Sequence, residues 1–215
     1  MNENELRDLI ARTAERDAEG GNVYEWSNDL KALIELYNSY PNIGRGIKYT
    51  PALGGWCMLY VSTLFIENGL GEIIQPEIGA YEPMKNAKLA GTWRARESSY
   101  EPKRGDIIHY AFPRTNEKGQ SYTQYHVGII TNSGIIPETG ETVIYTTEGN
   151  VESRVLMRAC KNWRTNKDID GFIIPEYEKA VSNSLELPPL PEEKGTYLLA
   201  AEISNENKIE WRKEK

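Results

Sequence analysis

Apolar positions fall at helical spacing in the first third of the chain and in short strand-like runs after residue 105. Leu6, Leu9, Ile10 and Ala14 make one stripe with the 3.6-residue period, ending at Gly20-Gly21. Leu30, Leu33, Ile34 and Tyr37 make a second, with Ser27 and Asn28 available as caps and Pro41 as the stop. Residues 42–55 hold four glycines and read as a loop. From Cys57 to Ile66 apolar residues fall on every side of the predicted helix, the pattern of a central, buried element, and Asn68-Gly69 supplies its C-cap. Residues 76–100 look irregular apart from a short helix over Met84 to Leu89.

From Asp106 the period changes. Asp106 to Phe112, Val127 to Thr131, Val143 to Thr147 and Phe172 to Ile174 read as strands. Gly105-Asp106, Asn132-Ser133-Gly134 and Glu138-Thr139-Gly140-Glu141 are turn signals beside them. Helices first and strands afterwards predict an α+β domain with an antiparallel sheet rather than alternating βαβ units. Pro175 roughly closes this domain, which is taken as residues 1–178. In the remaining 179–215, Leu187-Pro188-Pro189-Leu190-Pro191 reads as a stiff linker. Thr196 to Ile203 and Lys208 to Lys213 have the pattern of a hairpin, in a tail too small for a core of its own.

Composition narrows the partners. A net charge of −7 without a basic stripe argues against nucleic acid and against an anionic membrane surface. No stretch approaches the ~18 apolar residues of a membrane span, and residues 1–20 are too charged for a secretory signal. Synthesis in a cytoplasm as a monomer is expected. With only Cys57 and Cys160 there is neither a disulfide framework nor a metal-ligand cluster, so no metal and no cofactor is predicted.

The candidate chemistry starts at Gly54-Gly55-Trp56-Cys57, which puts a cysteine in the first turn of the buried helix, just after a glycine turn. Helix N-termini carry unpaired N–H groups and a partial positive charge, which stabilise a thiolate. Without such surroundings a cysteine is a small core residue. Cys160, in the basic and seemingly irregular Arg158-Ala159-Cys160-Lys161, is read that way. His126 opens Val127-Gly128-Ile129-Ile130, where Gly128 allows a close approach by a ligand or another backbone. It is preferred as general base over His109, because a histidine at a strand end can face a cleft. A cysteine–histidine pair needs a third polar group to orient the imidazole. Glu148 and Asn150 share a parity, so a continuing strand would point both to one face, and either can serve. The same residues suit a plain turn. Asp106 is read as a turn residue tying down the start of a strand. Tyr49 and Trp56 are candidates to line a substrate cleft or to donate to an oxyanion, with packing the better role for Trp56.

Four segments taken together carry a resemblance: Gly55-Trp56-Cys57-Met58-Leu59-Tyr60-Val61-Ser62, Pro102-Lys103-Arg104-Gly105-Asp106-Ile107-Ile108, His126-Val127-Gly128-Ile129-Ile130 and Tyr145-Thr146-Thr147-Glu148-Gly149-Asn150. In this order they resemble the CHAP family of cysteine- and histidine-dependent amidohydrolases and peptidases, relatives of the NlpC-like peptidases and of papain. The likeness spans roughly Leu30 to Pro175. It implies a papain-like (NlpC-type) α+β fold with N-terminal helices, a central catalytic helix and an antiparallel sheet. It also implies cleavage of a peptidoglycan amide without metal or organic cofactor. Cys57 matches the family nucleophile, His126 its base, and Glu148 with Asn150 its orienting positions. Met58 stands where the family has a small residue, His109 where it often has an aromatic, and Arg104 where it has proline or lysine–proline. Met58 and His109 are therefore expected to reshape the groove. The resemblance implies a phage lysin or related lytic protein, amidase or endopeptidase, brought to the bacterial cell wall by holin release or a secretion apparatus. The alternatives are an inactive cell-wall-binding or phage structural module of the same fold and a cytosolic cysteine peptidase or deamidase.

Overall fold

The computed structural model describes residues 1–182 together with the backbone of residues 197–200 and 210–213. The expected linker Leu187–Pro191 lies outside the described residues. Five helices precede or flank a six-stranded sheet whose paired strands are all antiparallel, as the α+β pattern requires.

Helix α1 (Glu3–Gly20) begins in a reciprocal cap: Glu5 N–H donates to the Asn2 side chain at 3.0 Å, and Asn2 N–H donates to the Glu5 carboxylate at 2.9 Å. It ends at Gly21, whose left-handed φ of 63° glycine adopts without penalty. Helix α2 (Asn28–Ser39) is capped by Ser27, whose Oγ accepts from Leu30 N–H at 3.0 Å. Helix α3 (Cys57–Glu67) has every residue from Cys57 to Ile66 buried. It lies on the sheet with α1 and α2 on its other sides, which is why its apolar residues show no stripe. Helix α4 (Tyr81–Ala90) starts three residues before the expected Met84.

The strands are β1 (Trp93–Ala95), β2 (Ile107–Thr115), β3 (Ser121–Ile135), β4 (Thr142–Val151), β5 (Arg154–Lys161) and β6 (Ile169–Ile173). Their order across the sheet is β1-β6-β2-β3-β4-β5. One face packs Ile107, Val127, Ile129 and Ile173 against the helices; the other buries Ile108, Ile130, Ile144 and Phe172 beneath Trp163. Strand β5 corrects the reading of Arg158–Lys161 as irregular. As an edge strand it exposes Arg154, Met157, Arg158 and Lys161, so the alternation that marks a strand is masked by charge.

Helix α5 (Tyr177–Ser182) packs Tyr177 into the core, its hydroxyl donating to the Gly105 carbonyl at 2.8 Å. In the tail, β7 (Tyr197–Ala200) and β8 (Glu210–Lys213) pair antiparallel, with Tyr197 opposite Lys213.

Candidate active site

Register brings the site together. Tyr110 on β2 stands directly opposite His126 on β3, and Ile129 of β3 opposes Thr147 of β4. Because side chains alternate, Tyr110, His126, Gly128, Thr146 and Glu148 come to one face over three adjacent strands. The close approach foreseen at Gly128 is made by a side chain of this chain. A Cβ on Gly128 would sit 2.4 Å from Glu148 Cγ, so the absence of a side chain is what lets Glu148 lie across β3.

Glu148 has no exposed surface, yet it stays ionised because every oxygen is served. Oε1 accepts from the Tyr110 hydroxyl at 2.8 Å and the Thr146 hydroxyl at 2.7 Å. Oε2 accepts from His126 Nε2 at 2.9 Å and Arg158 Nη1 at 3.2 Å. Burial alone would raise its pKa, but the bonds to His126 and Thr146 and the charge of Arg158 outweigh burial and hold the carboxyl below its ordinary range. Burial and the adjacent carboxylate push the Tyr110 hydroxyl well above its ordinary value, so Tyr110 remains a donor.

His126 lies between this carboxylate and sulfur. With Nε2 bound to Glu148 at 2.9 Å, the imidazole also interacts with the Cys57 side chain. Burial works against the charged ring, but the bonds and charges of Cys57 and Glu148 overcome it and raise its pKa from 6.5 to about 9. Cys57 is the first residue of α3, after an N-cap, Trp56, whose side chain caps nothing. The residue is buried, with 9% of its surface exposed. Both Cys57 and Cys160 are free thiols.

Of the two candidate orienting residues, only Glu148 contacts the ring. The equal-parity reading fails for Asn150 because the β4–β5 register shifts between Glu148 and Val151, and Asn150 itself adopts φ 60°. This turn carries its amide towards the Gly54-Gly55 loop, where Nδ2 would lie 3.2 Å from a Cβ on Gly55. Asn150 therefore joins Tyr49 and Trp56 in the lining of a cavity of about 330 Å³ beside the loop that precedes Cys57. Tyr49 is buried and its hydroxyl donates to the Gly54 carbonyl at 2.6 Å, so it shapes the loop before Cys57 and its proton is already committed. Trp56 is 3% exposed and packs over Gly149, with its indole N–H buried and unpartnered.

His109 occupies a different environment. It is fully buried, its Nε2 3.2 Å from the Ala80 carbonyl and its Nδ1 3.4 Å from Asp170, with Trp93 edge-on. Met58 is likewise fully buried. Neither lines the cavity beside Cys57, contrary to the expectation that both would reshape it. Arg104 instead ties the β2 entrance to α1, pairing with Asp8 at 2.9 Å and Glu15 at 2.6 Å. Tyr110, Thr146 and Arg158 were missed by sequence reasoning. Thr146 shares the parity of Glu148 and was legible; the other two are brought in by the register. Among the described residues no cluster of His, Cys, Asp and Glu suited to a metal ion occurs.

No family model, curated protein or solved structure matches this chain. What the site does must be read from its own residues.

Proposed function

We propose that this protein is a peptidoglycan hydrolase that cleaves an amide of the cell-wall peptide through Cys57, with a papain-like arrangement of helix and sheet. The observation that carries the reading is His126 held between the Cys57 thiol and the fully buried Glu148. The ordered likeness of the four segments around Cys57, Asp106, His126 and Glu148 to the CHAP family supports the substrate. The intact triad favours catalysis over a binding module of the same fold, because function resides in the site and not in the fold.

In the proposed reaction His126 takes the thiol proton and the resulting sulfur anion attacks the amide carbonyl. The carbonyl oxygen becomes an oxyanion next to the start of α3, where the Cys57 N–H donates to it, a contact worth roughly 3 kcal/mol in comparable sites. The imidazolium, steadied by Glu148, then gives its proton to the departing amine. A thioester remains on Cys57 until water, deprotonated by His126, releases the acid.

Purified cell walls incubated with the protein should gain free amino groups, and Cys57→Ala should abolish that gain. Release that persists in Cys57→Ala would remove Cys57 as nucleophile.

A further inference from the structure

Strand β5 forms one margin of the sheet, and only part of its outer side is used. Two hydrogen bonds fix which of its groups point outward. Asn162 N–H donates to the Thr142 carbonyl at 2.7 Å, so by the alternation of an antiparallel pair residues 160, 158 and 156 also bond to β4. Val155, one step out of phase, donates outward to the Val23 carbonyl at 2.9 Å, and Glu25 N–H donates back to the Ser153 carbonyl at 2.6 Å. Tyr24 thereby bridges to Arg154 antiparallel, and residues 23–25 act as a fragment of a further strand. Trp26 ends that fragment, because its φ of 70° turns the chain away. Past it, the N–H and C=O groups of Met157 and Ala159 face outward, both residues are exposed, and among the described residues no strand meets them.

The side chains along this edge restrict what kind of strand fits. Arg154, Arg158 and Lys161 put three cations on eight residues with no acid among them, in a chain whose net charge is −7. Of the three, only Arg158 has an acidic partner among the described residues, through one nitrogen on Glu148. On the other face of the strand Met157 is exposed, and so is Tyr145 of β4, directly opposite Ala159. The internal fragment follows the same rule, for Val23 lies opposite Val155 and both join the core on that face. A strand alternating acidic and apolar residues would set carboxylates beside Arg158 and apolar side chains on Met157 and Tyr145. A second copy of this chain is a poor match, because β5 against β5 sets cations opposite cations.

We infer that the open half of β5 docks an extended segment of a partner protein in which acidic and apolar residues alternate, adding a seventh antiparallel strand to the sheet. Main-chain hydrogen bonds at Met157 and Ala159 hold the segment, and the cations select the sign of its charge. The contact needs nothing from the reaction proposed at Cys57.

The probe is a blocked heptapeptide alternating glutamate and valine, titrated into the full chain and followed by amide hydrogen exchange. At saturation the Met157 and Ala159 amides should exchange at least about tenfold more slowly than in the free protein. Added salt should weaken the binding, and the same peptide with lysine for glutamate should not bind. Ala159→Pro removes an outward N–H that the β4–β5 ladder does not use and should raise Kd about tenfold, the equivalent of one hydrogen bond. Proline also risks unsettling the strand, so a peptide N-methylated at its valines, which face the same groups, tests the bonds on the unaltered protein and should bind at least as poorly. Binding that leaves both amides exchanging freely, equal binding of the lysine or N-methylated peptide, or no binding at millimolar peptide overturns the proposal. Protection of both amides before peptide is added also overturns it, because the edge is then already filled. Concentration-dependent dimerisation that Ala159→Pro abolishes overturns it in favour of a second copy.

Discussion

Asp106 and Glu148 are both completely buried, and their surroundings are built to opposite ends. Asp106 accepts from Arg7 Nη1 at 2.7 Å, the Tyr100 hydroxyl at 2.6 Å and Lys103 N–H at 2.8 Å. Arg7 is itself only 6% exposed, so this pair is closed off and joins α1 to the first residues before β2. Glu148 has four donors, but one is the imidazole beside the sulfur and another is Arg158, whose side chain is 53% exposed. One carboxylate is locked among structural donors; the other keeps an ionisable partner on the side of Cys57. The same buried charge thus serves cohesion in one place and the tuning of a histidine in the other.

Glu148→Gln tests that division most severely. It should lower cell-wall hydrolysis by about 10³–10⁴-fold, the scale seen when the orienting acid of a catalytic triad is made neutral. The thermal midpoint should move much less than in the matching Asp106 variant. Asp106→Ala leaves the buried Arg7 guanidinium with only Glu3 as a carboxylate partner and should cost about 3–5 kcal/mol in urea unfolding, with the folded fraction still active. Equal losses of activity in the two variants would erase the distinction.

Protonation sharpens it. The folded state raises the pKa of His126 from 6.5 to about 9, so the stabilisation it contributes is complete below pH 6.5 and is lost as the pH rises through about 9. An NMR titration should follow the ring near pH 9 in the native protein and at lower pH in Cys57→Ala, where the sulfur no longer favours the charged ring. A ring titrating near 6.5 in both would separate it from Cys57. Arg158→Ala should have the smallest effect, less than about tenfold on hydrolysis, because Arg158 is half exposed and Glu148 keeps three other donors.

How much of this was legible in the chain depends on how local the cause is. Helices α1 to α3 follow from stripes and caps within a few residues, so Ser27, Gly21 and the nearly all-apolar Cys57–Ile66 run announced them. Cys57 and His126 were found the same way, each from its immediate neighbours. What escaped depends on register. Asp106 reads as a turn residue, which its bond to Lys103 N–H bears out, but nothing near it in sequence points to Arg7, ninety-nine positions away. Asn150 was misplaced because a shift in the β4–β5 pairing breaks the alternation that parity assumes. Strand β5 escaped because an edge position relaxes the demand for an apolar face.

Helix α1 lies outside the segments that suggested the chemistry, yet Leu6, Ile10 and Ala14 belong to the same core cluster as Cys57 and Val127. A recombinant fragment trimmed to begin at Leu30 would strip a wall from that cluster and leave Asp106 facing solvent without Arg7. Such a fragment should emerge from expression as inclusion bodies, and engineering of shorter or fused variants has to keep α1 and its Asn2 cap to keep the fold whole.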